Sequence, residues 1–153
     1  IATSHTLRVQ VMQLLITIEE EYTELKLQED SAASFDIPAE WGGENYPSFI
    51  PDGFTLGAVH SDPGYSSVSY SDTTGEGRKL YFSELGESAE ANLDTEASTI
   101  KPIQVHGYHG TMAIKGTKIS AYWDDGRHYF ILITEGLDES AFLQVADGVV
   151  RVR

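Results

Sequence analysis

Apolar residues recur along this chain with two different periods, and the change of period divides it. From Thr6 the positions Leu7, Val11, Leu14, Leu15, Ile18, Tyr22 and Leu25 return mostly at three- and four-residue steps, the spacing of one helical face. Thr3 or Ser4 can cap the start by accepting a bond from an otherwise unpaired amide. The pattern predicts a helix over residues 5–21 with an extended exit to residue 28. Residues 29–49 mix Ser, Ala, Gly, Pro and acids without a period, so they read as a surface loop anchored by Trp41.

Beyond residue 50 the period becomes two. Pro51-Asp52-Gly53 has turn chemistry and precedes a strand from Thr55 to His60. Tyr65 to Ser71 and Lys79 to Leu85 alternate around Asp72-Thr73-Thr74-Gly75-Glu76-Gly77, a hairpin with a long loop. Residues 86–101 are acidic and irregular, and Ile103 to Val105 leads into a terminal unit. There Met112 and Ile114 share a face, Gly116 supplies a tight turn, and Ile119, Ala121 and Trp123 follow before the turn Asp124-Asp125-Gly126. Tyr129 to Ile133 is apolar throughout, as expected of a central strand covered on both faces. Asp138 is a natural N-cap, with Leu137 and Phe142 placed as a hydrophobic staple, so a helix over 138–150 should cover the sheet.

The expected class is therefore α+β. An antiparallel sheet of about six or seven strands, curved if the first helix lies in its concave face, is packed by the N-terminal and closing helices. Residues 1–28, 29–49 and 50–153 are read as helix with exit, loop, and sheet with closing helix of one domain, a size that can bury a core without staples.

Composition narrows function mainly by exclusion. The chain has 24 acidic and 10 basic residues, a formal charge of −14, which disfavours nucleic acid and anionic membrane surfaces as partners. It has no cysteine, hence no disulfide, thiolate metal site or thiol nucleophile. The longest early apolar run is broken by Arg8, Gln10 and Gln13 and cannot span a bilayer. The chain opens Ile-Ala-Thr-Ser-His with neither an initiator methionine nor a leader pattern, so Ile1 reads as a truncated or processed end.

Candidate chemistry is sparse. His106 and His109 form H-x-x-H, which binds metal when a helix brings both imidazoles together, but Gly107 and Gly110 argue for strand or turn; a zinc site would also need His60 or His128. Asp124 and Asp125 lack the alternating oxygen ligands of a calcium loop and read as turn residues. Asp72, Glu76 and the acids of residues 84–96 are carboxylates without a recognisable pairing for acid and base catalysis. Ser98 and Lys101 form an S-x-x-K without its usual companions, and no nucleophile elbow or phosphate loop is present. No catalytic residue, metal ligand or cofactor is assigned. Trp41, Tyr46, Tyr65, Tyr108 and Tyr122 are the candidate ligand contacts, since aromatic rings give large contact area with a polar edge.

The pieces YPSFIPDGF (46–54), VSYSD and KLYFSE, NLDTEAS (92–98), VHGYHGTMAIKG (105–116), ISAYWDDGRHYFILITEGLD (119–138) and ESAFLQVAD (139–147) together resemble an uncharacterised bacterial domain-of-unknown-function family over about residues 46–150. The resemblance implies an extracytoplasmic C-terminal domain of membrane-anchored, anti-sigma-factor-like proteins of Gram-positive bacteria. It implies contact with the membrane only through a segment preceding Ile1, and no established activity, cofactor or ligand. The expectation is a non-catalytic sensing or interaction domain with a protein or small molecule as partner. The alternatives are a secreted small-ligand or glycan-binding module using exposed aromatics, and a carboxylate-dependent hydrolase.

Overall fold

In the computed structural model, which describes residues 36–86 and 99–153, the alternating segments become strands of one antiparallel sheet. The strands are β1 Asn45–Pro47, β2 Phe54–Asp62, β3 Tyr65–Asp72, β4 Lys79–Gly86, β5 Thr99–Val105, β6 Tyr108–Lys115, β7 Lys118–Asp124, β8 His128–Glu135 and β9 Val149–Arg151, and helix α1 is Glu139–Asp147. Two meanders, β2-β3-β4 and β5-β6-β7-β8, join along β4 and β8 to give the order β2-β3-β4-β8-β7-β6-β5. β1 and β9 form a separate antiparallel pair.

The α+β expectation is thereby corrected: the described residues are nearly all β, and the nine-residue α1 is their single helix. The helix expected over residues 5–21 lies outside the described residues. The closing helix starts as expected, with the Asp138 carboxylate accepting from Ala141 N at 2.8 Å. It ends sooner than residue 150. Gly148 N–H caps the carbonyls of Gln144 and Val145, and the next residues leave as β9, opposite Asn45–Pro47. Two adjacent valines lose side-chain freedom in a helix and fit a pleated strand better, so a β partner outcompetes another helical turn. That partner, β1, lies within the stretch whose composition reads as loop.

Residues opposite one another in register share a face, which assigns Val68, Phe82, Leu132, Ala121 and Met112 to one continuous row. All five are at most 1% exposed. Elements outside the sheet cover this face. Trp41 packs on Phe82 with ring centroids 6.0 Å apart, the Tyr46 and Tyr70 hydroxyls meet at 2.5 Å, and Lys101 pairs with Glu139 of α1 at 2.8 Å. Phe142, Val145 and Ala146 of α1 are fully buried. In β8, Phe130 and Leu132 point into this core, while Tyr129, Ile131 and Ile133 alternate with them and are half-buried.

Two glycines are required by geometry. Gly107 (φ 85°) follows His106 (φ 53°) in a two-residue turn between β5 and β6, where both central residues need positive φ. Gly110 lies opposite Trp123, and a Cβ there would stand 2.5 Å from Tyr122 O and 2.6 Å from Trp123 Cβ. Backbone cannot yield as a flexible side chain can, so Gly110→Ala should lower stability by about 1–3 kcal/mol or more. A shift in the urea midpoint of the variant checks this, and an unchanged midpoint would contradict the packing.

Candidate functional site

Alternation along β4 sends Leu80, Phe82 and Glu84 to the same, covered face. A carboxylate at that third position must find donors or lose several kcal/mol to desolvation. Glu84, its side chain 6% exposed, finds them in the main chain of the segment that becomes β1. It accepts from Glu44 N at 3.0 Å, from Asn45 N at 2.9 Å and from Asn45 Nδ2 at 3.3 Å. Long-range tethering of β1 is thus written in one side chain of β4.

Further ionisable groups gather around this point. His128, opposite Gly86 at the start of β8, places Nε2 3.5 Å from Glu84 Oε2 and 3.7 Å from Glu44 Oε1. Arg127 and Arg151 bring Nη2 to 3.6 and 3.5 Å from the same Glu44 oxygen. These separations exceed hydrogen-bonding distance, and Glu44 Oε1 and His128 Nδ1 are buried without a hydrogen bond. Asp125 ties its own turn, accepting from Arg127 N and His128 N at 2.8 Å each. Arg153 Nη1 donates to Gly43 O at 2.6 Å.

Beside the cluster opens a cleft of about 270 Å³. The buried rings of Trp123 and Phe130 underlie it, and Val149 to Arg151 of β9, His106 of the β5–β6 turn, Tyr108 of β6, Asn45 and Asp125 line it. A second hollow of about 330 Å³ lies at the other end of the sheet, among Ser69, Ser71, Lys79, Tyr81, Ile133 and Glu135.

The candidate aromatic contacts do not converge. Trp41 and Tyr46 are each 1% exposed and pack edge-on against one another at 5.1 Å, in the core where no ligand reaches them. Burial and the Tyr70 hydroxyl together push the Tyr46 phenol far above its ordinary pKa, so it stays neutral. Tyr65 and Tyr122 lie on the face opposite the cleft. The first meets the Tyr81 hydroxyl at 2.6 Å and the second stacks on Tyr129 at 5.9 Å. Tyr108, 46% exposed, is the one that borders the cleft.

The histidines are also dispersed. His106 occupies the turn, His109 faces away from Tyr108 and Gly110 by strand alternation, and exposed His60 pairs with Asp62 at 2.8 Å. No group of three or more His, Asp or Glu among the described residues is arranged to hold a metal ion. Ser98 lies outside the described residues. Sequence reasoning singled out neither Glu44 nor Arg151, and met Glu84 only among general acids. The available signal for Glu84 was an acid at an inward position of an otherwise apolar alternation.

Asp72 and Arg78 form a second polar knot at the loop between β3 and β4. The Asp72 carboxylate, 2% exposed, accepts from Arg78 N at 3.0 Å, Nε at 3.1 Å and Nη2 at 2.9 Å, and from Thr74 N at 2.9 Å. The guanidinium also covers the Phe54 ring at 4.6 Å and donates to Asp52 O at 3.1 Å. Arg78 hydrogen bonds hold the Asp72 carboxyl well below its usual 3.8. A depressed carboxyl contributes stability above the unfolded-state pKa and loses it as pH falls toward the folded one. Melting temperature should therefore drop more steeply below about pH 4 for the natural chain than for Asp72→Asn, which has no such proton to take up. Parallel acid profiles would contradict this role.

The sequence family described as a domain of unknown function, DUF4367, matches residues 46–149. No curated protein and no solved structure matches the chain.

Proposed function

We propose that this chain, which belongs to the DUF4367 family, a domain family of unknown function, over more than half its length, is a non-catalytic extracytoplasmic sensing or interaction domain of a membrane-anchored, anti-sigma-type regulatory protein. One observation carries the non-catalytic part. Glu84, a buried carboxylate next to the cleft-lining Asn45, is committed to main-chain and amide donors of residues 44 and 45. A general acid or base needs a lone pair or proton facing substrate, and a carboxylate tethering its own fold is poorly placed to supply one. Asp125 and Asp138 are likewise engaged by backbone amides. The extracytoplasmic and anti-sigma parts rest on the family resemblance of residues 46–150.

Deletion of residues 38–153 from the full-length protein in its own host tests the regulatory reading. A changed transcript level for a discrete set of genes is expected, and a transcriptome identical to that of the intact strain would contradict it. Proteolytic shaving of intact cells addresses location, with digestion of this domain before lysis as the expected result. A small-ligand or glycan-binding module is the second reading, favoured by the exposed ring of Tyr108 beside the cleft. A glycan panel that raises the melting temperature of the natural chain but not of Tyr108→Ala would select it.

A further inference from the structure

We propose that the outer face of the seven-stranded sheet, the face turned away from the cleft, binds a second copy of this chain about a two-fold axis that crosses β8 at right angles to the strands. Among the described residues, β1, β9 and α1 all lie on the opposite face. On the three middle strands, β4, β8 and β7, register sorts the outer side chains into four rows of three. Lys79, Glu135 and Lys118 form the row at one end, and Leu85, Tyr129 and Asp124 the row at the other. Between them run Tyr81, Ile133 and Ser120, then Ser83, Ile131 and Tyr122.

The relief of the two inner rows is self-complementary. β8 is the middle strand of the seven, so an axis across it lays each strand antiparallel over its own copy and exchanges the inner rows. Tyr81 then stands opposite Ser83 of the second copy, Ile133 opposite Ile131, and Ser120 opposite Tyr122. The rings of Tyr81 and Tyr122 are half-buried, whereas Ser83 and Ser120 are 1% and 6% exposed and lie low between them. Each large side chain thus meets a small one, as two packed sheets require for interdigitation. The hollow of about 330 Å³ among Lys79, Tyr81, Ile133 and Glu135 comes to lie opposite Leu85 and Tyr129 of the second copy.

Charge selects both the axis and the occupant. An axis running along β8 would also set tyrosine over serine, but it would place Glu135 over Glu135 and Lys79 over Lys118. The crossing axis instead sets Lys118 against Asp124, twice by symmetry. In a chain of formal charge −14, the described part of this face holds Lys79, Lys115 and Lys118 against Asp62, Asp124 and Glu135, a balanced set. Repulsion between two acidic copies is therefore least here. Seven strands about 4.8 Å apart, each presenting about seven residues, give a face of roughly 700 Å², close to what a stable interface buries on each side.

Sedimentation equilibrium of the intact chain at about 100 μM should return twice the 16.8 kDa chain mass. Ile131→Lys, at the centre of the face, should raise the dimer dissociation constant by about tenfold or more, and Lys118→Glu should weaken the dimer as well. Adding Asp124→Lys to Lys118→Glu should restore it. The two positions stand six residues apart on one strand, roughly 20 Å, and cannot meet within a single copy. Tyr108→Ala, on the cleft face, should leave the mass unchanged. Thermal melting identifies a variant that does not fold, and should Ile131→Lys be one, the charge exchange carries the comparison. A monomer at this concentration, a dimer indifferent to both outer-face variants, or a charge exchange that does not restore association would overturn the proposal.

Discussion

Replacing Trp41 with alanine is expected to cost about 3–5 kcal/mol of folding stability, among the largest losses available to a single substitution in this chain. The indole is 1% exposed, packs on Tyr46 at 5.1 Å and on Phe82 at 6.0 Å, and donates Nε1–H to Asn45 O at 2.9 Å. Truncation therefore leaves a cavity over the centre of the sheet and removes the donor that fixes the start of β1. Collapse around the void is limited, because Phe82 itself packs on Phe130 at 6.1 Å and cannot swing outward without opening a second gap. Urea unfolding read by fluorescence of the remaining Trp123 measures the loss. A change below about 1 kcal/mol, the scale of a surface substitution, would show that the segment before β1 is not part of the core.

Glu84→Leu is expected to be comparably severe for a different reason. Leucine fills the space but accepts nothing, so the amides of Glu44 and Asn45 lose their acceptor inside the structure. Each orphaned donor costs about 1–3 kcal/mol, and His128 and the Glu44 carboxylate are left to rearrange. Glu84→Gln keeps an acceptor oxygen and should lose less. If both variants unfold at the urea concentration of the natural chain, the carboxylate has no tethering role.

Much of the sheet could be read before the structure, and the reason is local. Strands such as His128–Glu135 alternate between a buried and a less buried face, and the turns of the sheet carry glycine where positive φ is needed. The N-cap at Asp138 and the buried staple residue Phe142 are likewise near neighbours in sequence. What escaped is non-local. β1 has three residues and no period of its own, and it exists because Glu84 binds its amides and β9, about a hundred residues later, pairs with it. The valines of β9 favour a strand, but a strand needs a partner, and β1 is not a neighbour in sequence. The aromatic candidates failed similarly, since residue type gives no information on which ring is covered: Trp41 and Tyr46 went to the core and Tyr108 to the cleft rim. Glu84 could have been found, because an inward-facing acid between Phe82 and the strand end is costly unless it has a structural or chemical task.

The Glu84 carboxylate holds the fold together by binding the amides of Glu44 and Asn45, and native-state hydrogen exchange of those two amides tests this role. Both amides are predicted to be strongly protected in the natural chain, and in Glu84→Leu to exchange far faster while the β4–β8 ladder amides remain protected. Free exchange of both amides in the natural chain would contradict the account, and would return Glu84 to the set of carboxylates available for chemistry.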